Sequence, residues 1–134
     1  MPGYSGTPLV KKLGIAAGPR VLVVDPPDDY RAMLAGLPAD VHFVKGVGDR
    51  PTLVHVFVTR RDDLQARLVA LRDGLAPDVP VWVSWPKRAS KMPTDVTEDV
   101  IRAVALPLGF VDVKVCAVTD VWSGLKLVVR VALR

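Results

Sequence analysis

Apolar residues in this chain are grouped at two different periods, and the period changes several times along its length. Val21 to Val24, Val41 to Val44, Leu53 to Val58 and Val81 to Val83 are short runs that are apolar almost throughout. A run with no polar face suits a strand covered on both sides, as in the centre of a parallel sheet. These runs predict strands over Arg20–Asp25, Val41–Val44, Leu53–Val58 and Val81–Ser84. Between the last two the spacing turns helical: Leu64, Leu68, Leu71 and Leu75 form one stripe, opposite Arg61, Asp63, Gln65, Arg67 and Arg72. Val96, Val100, Ile101 and Val104 make a second such stripe. Near the end the period becomes two. Val111, Val113, Val115 and Ala117 alternate with Asp112, Lys114 and Cys116, and Leu127, Val129 and Val131 alternate with Lys126 and Arg130.

Punctuating residues divide these elements. Thr7-Pro8 opens a helix, with a capping hydroxyl followed by a residue that needs no amide, and Gly14 suits its end. Asp25-Pro26-Pro27 breaks the first strand; Asp28 or Asp29 opens a helix through Tyr30, Met33 and Leu34 that closes at Gly36. Thr59 is placed to cap the helix after the third strand; Thr94 or Asp95 starts the last one, where Asp95 with Glu98 has a capping-box-like spacing. Pro107 and Gly109 stop that helix. Thr119 to Gly124 joins the two final strands, which reads as an antiparallel hairpin.

Alternating strands and helices imply parallel strands joined by right-handed crossovers. The expectation is a single α/β domain over residues 1–134, a three-layer Rossmann-like sheet of about six strands. It is mostly parallel and ends in an antiparallel hairpin. One crossing is tight. Lys45 to Thr52 must return from the top of one strand to the foot of the next, and eight residues reach at most roughly 26–29 Å. That suffices for a parallel strand at Val41–Val44; an antiparallel edge strand is the alternative.

Composition narrows the class. The chain has 134 residues, half of them hydrophobic, enough for one core and too apolar for disorder. The net charge is +4, with basic residues scattered, so nucleic-acid binding through Lys87, Arg88 and Lys91 ranks last among the functions considered. Cys116 stands alone, which excludes an internal disulfide and leaves no cysteine pair with metal-ligand spacing. The first residues lack a charged start followed by an apolar run, and no stretch approaches the ~20 apolar residues of a membrane helix, so a cytoplasmic location is expected.

Two resemblances follow from particular peptides. The closing antiparallel pair, with Lys12-Leu13-Gly14-Ile15 and Gly18 to Val24 before and along the first strand, resembles class I methyltransferases. That resemblance implies a methyltransferase-like sheet lacking one βα unit after Val44. It also implies a glycine-rich turn for S-adenosylmethionine after the first strand and an acidic residue ending the second. Here the turn is Asp25-Pro26-Pro27-Asp28-Asp29, and the second strand ends Val44-Lys45-Gly46. Asp25-Pro26-Pro27 is similar to the Asp-Pro-Pro-Tyr motif of amino-group methyltransferases, but Asp28 stands where the aromatic residue belongs. Separately, Gly3 to Leu9, Lys11 to Ile15, Trp85-Pro86-Lys87 and Trp122 to Lys126 resemble a bacterial domain family of unassigned activity, which implies no function.

No nucleophile elbow or phosphate loop is present. His42 and His55 lie in apolar strands and read as satisfied sheet histidines. The expectation is therefore a non-catalytic module without cofactor or metal, binding a small anionic ligand or a protein partner. The alternative is an S-adenosylmethionine-dependent enzyme with an atypical loop. Ligands of open parallel sheets lie beyond the carboxyl ends of the strands. That places Asp25, Asp28, Thr59, Arg60, Ser84, Trp85, Lys87, Arg88, Ser90 and Lys91 as candidate site residues. Lys87, Arg88 and Lys91, with Ser84 and Ser90, would hold an anion. Trp122 either plugs the core or lies in a subunit interface.

Overall fold

A computed structural model of the chain describes residues 13–14, 19–33 and 41–134. Its strands are β1 (Arg20–Val24), β2 (His42–Val44), β3 (Leu53–Phe57), β4 (Val81–Pro86), β5 (Phe110–Ala117) and β6 (Trp122–Val129). Its helices are α1 (Tyr30–Met33), α2 (Arg61–Gly74) and α3 (Glu98–Ala105). The helix expected from Thr7 to Gly14 and the helix end expected at Gly36 fall largely outside the described residues.

All six strands form one sheet in the order β2-β1-β3-β4-β6-β5. β1 pairs in parallel with both β2 and β3, and β3 with β4, so the runs at Val21, Leu53 and Val81 lie side by side and point one way. β6 is antiparallel to β4 and β5, with a bulge between Asp112 and Lys114. The parallel choice for Val41–Val44 holds, and the crossing to β3 succeeds without a full helix. A single 3-10 turn at Val47–Asp49 shortens it, and Arg50 takes a left-handed conformation (φ 55) that redirects the chain. At its end the Thr52 amide donates to the Arg20 carbonyl, and the Arg20 amide donates to Thr52 Oγ1.

Each sheet face carries its own apolar cluster. On one, α2 and α3 lay Leu64, Leu68, Leu71, Ile101 and Val104 against Val54, Val56, Val81, Val83 and Leu127. On the other, Leu13 and Tyr30 cover Val21, Leu53, Phe57, Trp82 and Trp122. β3 and β4 are buried along their whole length, which explains why both runs lack a polar face. Arg102 of α3 ties that helix to the outer strand, with Nε 3.0 Å from Asp112 Oδ2 and Nη1 2.7 Å from Glu98 Oε2. The Arg102 guanidinium holds the Asp112 carboxyl below its usual range.

Three local expectations are corrected. Thr97, not Asp95, caps α3, its hydroxyl accepting from the Val100 amide at 3.2 Å. Thr59 does not cap α2; Arg60 precedes that helix without a side-chain cap. β6 begins at Trp122, three residues before the expected start, because Trp122, Ser123 and Gly124 pair with Pro86, Trp85 and Ser84.

Candidate functional site

The carboxyl ends of β1 to β4 meet at one edge of the sheet, and the strand order reverses between β1 and β3. The residue after β1, Asp25, has φ 54, an uncommon conformation outside glycine, and its carboxylate lies 2.9 Å from Arg67 Nη2 on α2. That ion pair is solvent-exposed and holds Asp25 toward α2. Pro26 and Pro27 follow and offer no amide hydrogens. The turn closes where the Tyr30 amide donates to the Pro27 carbonyl at 3.0 Å.

The end of β3 is covered by the chain itself. Thr94 Oγ1 donates to the Thr59 carbonyl at 2.6 Å, and the Arg61 amide at the start of α2 donates to Asp95 Oδ1 at 2.7 Å. A helix start attracts anions through its free amides. Here one of those amides is already met by an internal carboxylate, so the helix start is not an open cradle: Thr59 is half-buried beneath a strap, while the Arg60 side chain stays exposed. Replacing Asp95 with Ala is expected to cost about 1 kcal/mol in urea unfolding, the usual loss of a capping carboxylate. No change would show the strap to be incidental.

At the end of β4, Ser84 and Trp85 are buried and face the interior. Lys87, Arg88, Ser90 and Lys91 belong to an exposed or half-exposed loop containing a single 3-10 turn. Ser90 Oγ donates to the Lys87 carbonyl at 2.7 Å and accepts from the Met92 amide at 3.2 Å, so it serves the loop. Trp122 is buried and its ring meets Phe57 edge-on at 5.0 Å, the placement of a core plug.

Ser84 belongs instead to a buried polar row. Its Oγ lies 2.7 Å from His55 Nε2, and His55 Nδ1 lies 3.0 Å from the Tyr30 hydroxyl. A neutral imidazole donates through one nitrogen and accepts through the other, so both contacts are met in either tautomer. Burial pushes the His55 pKa down to about 3, keeping the ring neutral. A hydroxyl held by an imidazole has the outline of an activated nucleophile. Full burial of both groups and so weak a base argue against that use.

Beside this row a hollow of about 380 Å³ opens between the β1 turn and β2, lined by Val23, Pro26, Pro27, Asp28, Tyr30, Phe43 and Val44. Asp28 was named from sequence; Tyr30 and Phe43 were not, since each reads as an ordinary core residue of its element. A second hollow of about 340 Å³ lies across β1 beside the Asp25–Arg67 pair, and a third of about 420 Å³ lies by the amino ends of β3 and β4, away from the carboxyl ends.

S-adenosylmethionine does not fit this edge in the way the methyltransferase resemblance implies. The turn after β1 has two prolines where a glycine cradle is needed, and the residues that end β2, Val44-Lys45-Gly46, include no acidic one. The Lys45 amide there donates to Asp49 Oδ2 at 3.1 Å. Among the described residues no group of His, Cys, Asp and Glu is placed to hold a metal, and no helix is long and apolar enough to cross a membrane.

Solved structures of similar fold are methyltransferases and related Rossmann proteins. A SAM-dependent methyltransferase from Aquifex aeolicus matches with a TM-score of 0.58 and 13% identity, covering 90% of this chain and 87% of that one. The cyclopropane synthase MmaA2 from Mycobacterium tuberculosis gives 0.57 and 9%, over 90% and 81% of the two chains. A protein of the NADB-Rossmann superfamily from Streptococcus agalactiae gives 0.54 and 11%, over 96% and 70%. The fold is therefore Rossmann-like and methyltransferase-like. No family model matches the chain, and no curated protein matches it by sequence.

Proposed function

We propose that this chain is a binding module built on a methyltransferase-like sheet, taking a small ligand in the hollow between the β1 turn and β2. The observation that carries this reading is the hollow itself. It opens at the carboxyl ends of the parallel strands β1 and β2, and Tyr30 and Phe43 line it. Among the described residues, the strap over β3 and the buried ends of β4 leave open space at this edge only beside β1, and of the two hollows there this is the one with aromatic walls.

The likeness to methyltransferase structures favours a second reading, an S-adenosylmethionine-dependent enzyme with an atypical loop. Transfer of a methyl group from a sulfonium to a nucleophile asks mainly for positioning, so the lack of a catalytic set does not weigh against it. The proline turn does. Calorimetry with S-adenosylmethionine and S-adenosylhomocysteine separates the two. The binding-module reading expects no heat at millimolar cofactor. Saturable binding in the micromolar range would replace it with the enzyme reading.

A further inference from the structure

We infer that the hollow between the β1 turn and β2 takes a cationic organic molecule, an amine carried on a flat apolar body. This rests on the reading of that hollow as the ligand site and adds the ligand's chemical class. The walls are apolar or aromatic except at one place: Val23, Pro26, Pro27, Phe43 and Val44 surround the space, and Asp28 is the one charged side chain among its described lining. Tyr30 adds a ring, while its hydroxyl is committed to His55.

The charges of the turn are uneven. Asp25 is neutralised by Arg67 on the α2 side. Asp28 and Asp29 are exposed and form no ion pair with any described residue. Pro26 and Pro27 supply no amide that could receive an oxyanion. The described lining of the lip is therefore negative, and an anion entering it meets repulsion from Asp28. A cation gains there twice, from the Asp28 carboxylate and from the aromatic rings beside it. A flat apolar body suits walls made of prolines and aromatic rings, and the volume of about 380 Å³ is that of a small-molecule site. The anion expected from Lys87, Arg88 and Lys91 has no such enclosure, since those residues lie on the loop after β4 and line none of this hollow.

The test uses the full chain and two probes with the same ring and nearly the same length, tryptamine and indole-3-propionate. Amide chemical shifts are followed during titration of each. Tryptamine should perturb Val23, Asp28, Tyr30, Phe43 and Val44 and bind at least tenfold more tightly than the carboxylate. Asp28→Asn, an exposed change that spares the fold, should bring the two within about threefold. Equal or tighter binding of indole-3-propionate at those amides overturns the inference, and so does a preference that survives Asp28→Asn. If neither probe shifts those amides, the hollow is not the ligand site and the reading under Proposed function fails with it.

Discussion

Below about pH 6.5, His55 alone should make the protein lose roughly 1.4 kcal/mol of stability for each pH unit, down to about pH 3. The direction follows from proton counting. The unfolded histidine titrates near its ordinary value of 6.5, whereas the folded one, desolvated on all sides, titrates near 3. Between those values the unfolded chain binds a proton that the native chain refuses, so acid pulls the equilibrium toward unfolding. Above 6.5 both states are neutral and the contribution is flat. Carboxylates add their own acid dependence, so the measurement is a difference. Urea midpoints of the wild type and of His55→Gln are compared from pH 7.5 to pH 4.5. The glutamine keeps a donor and an acceptor but does not protonate, and its profile should lack the extra slope. His55→Ala should cost about 3–5 kcal/mol at neutral pH, because it opens a cavity in the core and removes the imidazole that the buried Ser84 hydroxyl meets. Parallel profiles for wild type and glutamine variant would mean that the ring is hydrated in solution.

Replacement of Trp82 by alanine should be as damaging, at about 3–5 kcal/mol. Trp82 is among the largest fully buried side chains, and its indole N–H donates to the Leu13 carbonyl at 3.1 Å. The side chain therefore fills the sheet face opposite α2 and α3 and also holds Leu13 there. Trp82→Phe keeps most of the volume and loses the donor, so it should cost less, about 1–2 kcal/mol, much of it from the unmet carbonyl. Thermal unfolding of the two variants separates packing from tethering. A loss below about 1 kcal/mol for Trp82→Ala would show that this face is loosely packed.

Much of the fold was legible because burial on both faces leaves a plain signature. The runs at Val21, Leu53 and Val81 read as central strands and are so, but the alternation from Val111 to Ala117 misleads about burial, since Val113 and Val115 on its apolar side are exposed. The parallel direction of β2 rested on chain reach, and a single 3-10 turn with a left-handed Arg50 provides it. Capping was read less well. Asp95 looked like the start of α3, yet its carboxylate serves α2, a partner 34 residues earlier that local spacing cannot reveal. The site was legible as an edge and not as a set. Asp25 and Asp28 were placed from the proline turn, but Asp25 was expected to meet a ligand and meets Arg67. Ser84 and Trp85 ended a strand in the sequence and stay inside the core in three dimensions, because β6 reaches back to pair with them. Tyr30 and Phe43 escaped notice, since the hollow they line exists only once β2 lies against β1.

The central claim is that small molecules meet this protein in the hollow between the β1 turn and β2. The most direct measurement is an amide chemical-shift map of the full chain with a mixed set of cationic, neutral and anionic fragments. The expected result is one cluster of shifts at Val23, Asp28, Tyr30, Phe43 and Val44. A cluster at Lys87, Arg88 and Lys91, with the β1 turn unmoved, would contradict it.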